Sequence, residues 1–193
     1  MKEVVIKVYE INELSEKARR RAYNDWLKNM CDYDTYDIER TLKSFCDLFG
    51  VKVSNWCFDE CGYDFSFQTD KEEIIDNMKG ERLFKYLMNN FWSSLFKKKT
   101  IWKNWEKRRT SNVMYDNCCV LTGVCYDEWI LEPIYEFLKH PNDNDFYDLI
   151  YECLNNFFKN CVKDYEYMTS EEYFVDSAKD NEIMFYENGA FYG

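Results

Sequence analysis

The sequence predicts an α+β fold in a single domain over residues 1–193, with antiparallel strands near both termini and at about 51–68 and several packed helices. Three observations carry this expectation. Segments with two-residue alternation of β-branched and aromatic side chains sit at the chain ends and between 51 and 68. Elsewhere apolar residues recur every three or four positions, the stripe of an amphipathic helix. The regular strand–helix–strand alternation of a parallel α/β sheet is missing. A length of 193 residues, 46% of them hydrophobic and 19% aromatic, supports a core without disulfide staples and argues against disorder.

The elements follow in order. Val4, Val5, Ile6, Val8 and Tyr9 predict a strand over 3–9. Ser15 stands where a helix cap belongs, and Ala18, Ala22, Trp26 and Met30 form one stripe of a helix over 16–30. Ile38, Leu42, Phe45 and Phe49 predict a second helix from 35 to 49, stopped by Gly50 in a left-handed conformation. Residues 51–58 and 63–67 read as a hairpin turning at Gly62. Helices are expected over 71–79 and 81–97, separated or bent at Gly80, with Leu83, Leu87 and Phe91 inward. A strand is expected over 113–121, ended by Gly123.

From Tyr126 onward the chain reads as helical to near its end. Ile130, Ile134 and Leu138 mark a helix over 129–138, in which Pro133 must occupy the first turn or force a kink. His140-Pro141-Asn142-Asp143 is a turn, and Leu149, Cys153, Phe157 and Cys161 mark a helix over 145–161. Thr169 and Glu172 have capping-box spacing and should open a helix to about 179. Residues 183–186 and 190–192 flank Asn188-Gly189 as a terminal hairpin.

Charge is polarised. The net charge is −11, yet residues 79–109 hold 10 Lys and Arg against 2 Asp and Glu, while 126–193 hold 4 against 16. An acidic whole argues against general nucleic-acid coating, where affinity comes from neutralising phosphates. The basic segment keeps the option open locally. Lys97, Lys98, Lys99, Lys103, Lys107, Arg108 and Arg109 surround Trp102 and Trp105. Cations interleaved with indoles suit single-stranded nucleic acid, a protein interface, or an amphipathic helix with its tryptophans in the core. Glu128, Glu132 and Glu136, with Asp143, Asp145, Asp148 and Glu152, form the densest acidic set, either a partner-binding face or ordinary solubility charge.

Catalytic constellations are not found. His140 is the only histidine and has no nucleophile motif beside it. Neither phosphate-cradling glycine motif occurs. Asp143-Asn144-Asp145 begins like a calcium loop, but the twelfth position is Leu154. The nine cysteines contain no C-x-x-C pair, although Cys57, Cys61, Cys118, Cys119 and Cys125 lie close enough in sequence to raise zinc as an alternative. The opening MKEVVIKVYEI lacks a secretory pattern and no apolar run suits a membrane span, so reduced cytosolic thiols, no cofactor and no metal are expected.

Three stretches carry a resemblance: the opening strand followed by INELSEKARRRAYNDW, the segment CVLTGVCYDEWILEPIYEFL, and the ending DYEYMTSEEYFVDSAKDNEIMFYENGAFY. Together they resemble a largely uncharacterised family of small phage and prophage proteins, some with antitoxin-like descriptions. Residues 79–109 depart from that pattern. The resemblance offers no catalytic residues. It implies counter-defence in the host bacterial cytosol: anti-CRISPR-like, stoichiometric blocking of a host defence protein. The expected contacts are Lys97, Lys98, Lys99, Trp102, Trp105, Lys107, Arg108 and Arg109, or the acidic face with Glu128, Glu132 and Glu136. The alternative is a nucleic-acid-associated phage accessory protein using 97–109.

Overall fold

The computed structural model describes residues 5–29, 31, 33–98, 100–103, 106–109, 115–116 and 118–192, with backbone alone between 97 and 117. It is α+β, with seven α-helices among the described residues and strands paired only antiparallel. By packing, the chain divides into two compact units, Met1–Asp34 with Lys163–Gly193, and Thr35–Val162.

The first unit is built from both chain ends. Strand β1 (Tyr9–Glu10) leads through a 3-10 turn into α1 (Glu16–Asn29). The expected strand over 3–9 is therefore corrected: residues 5–8 are not paired, and Val5 and Ile6 are exposed despite their β-branched character. Residues 3 and 4 of that expectation lie outside the described set. Helix α7 (Glu171–Asp180) is capped by Ser170, whose hydroxyl accepts from the Tyr173 N–H. Thr169, the expected cap, instead donates to the Tyr165 carbonyl as part of the preceding helix end. Strands β8 (Met184–Phe185) and β9 (Phe191–Tyr192) form the terminal hairpin, and β1 pairs with β8.

Ala18, Ala22 and Trp26 of α1 meet Phe174 and Ala178 of α7 and Phe185 of β8 in one buried cluster. Gly189 closes the hairpin at φ +84°, and a Cβ there would lie 2.0 Å from the Ala18 carbonyl oxygen. Glycine is needed twice over, for the backbone conformation and for that close approach.

The second unit has α2 (Tyr36–Phe49) ending at Gly50, φ +66°, as expected. Strands β2 (Val51–Asp59) and β3 (Gly62–Thr69) form a hairpin with a bulge between Ser54 and Cys57, where Asn55 takes a φ of +51°. The expected helix over 71–79 shrinks to α3 (Glu73–Asp76); α4 (Gly80–Leu95) follows with Leu83, Leu87, Phe91 and Leu95 buried. Phe49 packs between Phe45 and Phe91 with tilted rings, each pair of ring centres 4.8 Å apart.

Two short ribbons come next: β4 (Lys97–Lys98) pairs with β7 (Tyr115–Asp116), and β5 (Thr100–Lys103) with β6 (Glu106–Arg109). The helical alternative for 97–109 is thereby overturned. Thr100, Ile101 and Trp102 are β-branched or bulky and favour a strand once a partner strand follows. Among the described residues the strand expected over 113–121 is limited to β7; residues 113, 114 and 117 lie outside the described set, and 118–121 are not in a strand. Helix α5 (Tyr126–Lys139) and the long α6 (Phe146–Met168) complete the unit, which ends within α6 at Val162. The β2–β3 hairpin lays an aromatic face on α6, with Phe65 against Phe158 at 5.3 Å and Phe67 against Tyr147 at 4.6 Å. Among the described residues no helix is long and apolar enough to cross a membrane.

Candidate functional site

Helix α5 begins at Tyr126, the expected start of the helical pattern, so Pro133 lies beyond its first turn. Proline has no N–H for the carbonyl four residues back, which is that of Trp129. Asn156 of α6 fills the gap: its side-chain amide donates to the Trp129 carbonyl at 2.7 Å. The same amide reaches a Glu132 carboxylate oxygen at 3.0 Å. The break in the helix ladder thus fixes a carboxylate on the surface.

With α5 placed, Glu128, Glu132 and Glu136 recur every four residues on its exposed face. They line one groove of about 400 Å³ together with Cys118, Trp129, Tyr135 and Lys139. Tyr135 forms part of the groove floor; it is buried, and its hydroxyl donates to the Leu95 carbonyl at the end of α4. Burial, and secondarily the nearby Asp127 carboxyl, raise Tyr135 well above the ordinary tyrosine range. Lys139 sits 2.7 Å from a Glu136 carboxylate oxygen, and that hydrogen bond lowers the Glu136 carboxyl below its usual range. Glu128 is approached by Cys118 Sγ at 2.9 Å and by Cys119 Sγ at 3.9 Å.

The loop before α5 is held by Asp127, which is fully buried. One of its oxygens accepts from the backbone N–H groups of Leu121 at 2.9 Å, Thr122 at 2.7 Å and Gly123 at 3.1 Å. The other accepts from the hydroxyls of Thr122 at 2.6 Å and Thr41 at 3.2 Å. Arg40 of α2 donates to the Thr122 carbonyl at 2.6 Å. Three consecutive N–H groups converging on one oxygen make a small anion nest, filled here by the protein's own side chain. Cys118 and Cys119 precede this pinned loop, and Cys119 takes a left-handed φ of +47°. Their Sγ atoms are 3.5 Å apart. Hydrogen bonds to Glu128 first and to Cys119 second push the Cys118 thiol up to about 12, which makes it a weak nucleophile at neutral pH.

The basic candidates divide differently. Lys97 and Lys98 lie on β4, in register with Asp116 and Tyr115. Trp102 on β5 is in register with Lys107 on β6; Arg108 and Arg109 face Ile101 and Thr100 across the ribbon. Lys99 and Trp105 lie outside the described residues. Of the acidic set beyond α5, Asp145 accepts from the Asp148 N–H at the start of α6 and lies 3.6 Å from Lys79. Glu152 accepts from the Asn144 side chain. His140 is exposed at the end of α5, its N–H bonded to the Glu136 carbonyl.

Sequence reasoning found the three acids of the groove but missed Asp127, Asn156 and the convergence of two thiols on Glu128. Thr122-Gly123 followed four residues later by an Asp in a first helical turn is a readable signal for side-chain capping of a loop. Nothing in the sequence pairs Asn156 with Trp129, since the two are 27 residues apart. No family model matches this chain, and no curated protein or solved structure does.

Proposed function

We propose that this chain is a phage-encoded counter-defence protein that blocks a bacterial defence effector by stoichiometric binding, receiving a basic segment of that effector on the α5 groove. The observation that carries this reading is the gathering of Glu128, Glu132 and Glu136 in one groove beside Trp129. Carboxylates pair with a lysine or arginine side chain, and a neighbouring indole face adds cation–π attraction. Asn156 and Cys118 hold two of the acids in place, which lowers the ordering cost of binding. The resemblance of the three sequence stretches to small phage proteins supplies the counter-defence setting.

The test is affinity capture from lysate of a bacterial host, comparing the native chain with the E128K/E132K/E136K variant. The reading expects one host protein in stoichiometric yield with the native chain and at least a tenfold loss with the variant. Equal recovery by both would remove the groove from the interface. A second reading is favoured by the paired β5–β6 ribbon, since two-stranded ribbons are used by several nucleic-acid binders. Under that reading W102A/K107E abolishes oligonucleotide binding that weakens steeply with salt.

A further inference from the structure

We propose that Cys118, Cys119 and Glu128 form a binding site for a thiophilic divalent cation, zinc, at the groove beside α5. The three donor atoms lie within 4.8 Å of one another. Their separations are 3.5 Å between the thiols, 2.9 Å from Cys118 to the carboxylate and 3.9 Å from Cys119 to it. A tetrahedral zinc with bonds of about 2.3 Å to sulfur and 2.0–2.2 Å to oxygen requires donor separations of roughly 3.5–3.8 Å. The two edges at Cys119 change by about 0.4 Å or less and the Cys118–carboxylate edge lengthens by about 0.6–0.8 Å, shifts that side-chain rotation supplies.

Neighbouring residues in extended chain point to opposite faces, so adjacent cysteines do not ordinarily converge. Here the left-handed backbone at Cys119 accompanies convergence of both thiols on one carboxylate. The supporting loop is pinned to α5 by Asp127 and to α2 by Arg40, so the donors do not have to be gathered from a mobile chain. Two sulfurs and one oxygen select against calcium and magnesium, which take oxygen ligands, and suit zinc. On binding, the two thiol protons leave to solvent, both sulfurs and one carboxylate oxygen bond to the ion, and the loaded group carries one net negative charge. Among the described residues the three donors fill three of the four tetrahedral positions. The site does not rest on the partner-binding reading, and its test needs no partner.

The test uses the full chain, reduced and stripped of metal, titrated with Co²⁺ as an optical probe and then with Zn²⁺ in competition. The site predicts one equivalent bound per chain with a thiolate-to-cobalt charge-transfer band that zinc abolishes. The C118S/C119S variant loses the band. E128Q weakens the affinity by at least the roughly 10–100-fold that loss of a mere outer-shell partner costs. C57S/C61S, which removes two exposed cysteines outside the site, binds as the native chain does. No band, a band retained in C118S/C119S, a band lost in C57S/C61S, or full affinity in E128Q would each overturn the three-ligand site. Far-ultraviolet circular dichroism of each variant confirms that loss of the band is not loss of fold.

Discussion

Asp127 offers the sharpest test of how the groove is built. Asp127→Ala removes the acceptor of three backbone N–H groups and two hydroxyls around a fully buried position. The hydroxyls can turn to other acceptors, but the three N–H groups point inward. Each buried donor left without a partner costs about 1–3 kcal/mol, and partial opening of the loop to water favours the low end. The expected loss is about 3–5 kcal/mol, a large part of the roughly 5–15 kcal/mol that keeps a domain folded. Asp127→Asn keeps one oxygen for the three N–H groups and turns its amide toward hydroxyls that can accept, so it should cost about 1–2 kcal/mol. Urea denaturation followed by circular dichroism measures both. Mass-spectrometric alkylation of Cys118 and Cys119 reports whether the loop has loosened, and should run faster in D127A. A D127A variant within 1 kcal/mol of the native chain, or a D127N variant as unstable as D127A, would refute the view that acceptor geometry at this carboxyl organises the loop.

Other outcomes follow from single features. Gly189→Ala must place a methyl against the Ala18 carbonyl at a left-handed backbone, and should destabilise the first unit by about 3 kcal/mol or more; an unchanged melting temperature would contradict the close approach. Asn156→Ala orphans the Trp129 carbonyl and should cost about 1–2 kcal/mol, but less in a Pro133→Ala background, where the restored N–H takes over. An additive double-mutant cycle would show that the two are unconnected. Alkaline pH should destabilise the second unit. Burial pushes the Cys46 thiol to about 11 and raises Cys153 well above 9.0. Folded-state values above the unfolded ones mean that the unfolded chain releases its protons first. The associated stability is complete below about pH 8.5 and is lost as pH rises toward 11, so the urea midpoint should fall between pH 8 and 10.5. A constant midpoint across that range would contradict the burial of these thiols.

Periodicity settled much of this protein from the sequence. The helix of Ala18, Ala22 and Trp26, the helix closed by Gly50, the hairpin read over 51–58 and 63–67 and the Asn-Gly terminal turn all follow from apolar spacing and local turn chemistry, which act within a few residues. The acid stripe on α5 was also legible, because a four-residue recurrence sets one helix face. Long-range partners were decided only by the tertiary structure. The β-branched residues before Tyr9 look like a strand, yet pairing needs an edge, and among the described residues β8 pairs only Tyr9 and Glu10. The basic segment could be a helix by spacing, and its register across β5 and β6 made it a ribbon. Pro133 stays inside a helix because Asn156, on another element, accepts the task of its missing N–H. The two thiols meet Glu128 because Asp127, Arg40 and Thr41 fold the intervening loop back on itself. Local propensity is written in neighbouring side chains. Contacts between residues distant in sequence depend on where every other element has packed, and that is read only from the folded chain.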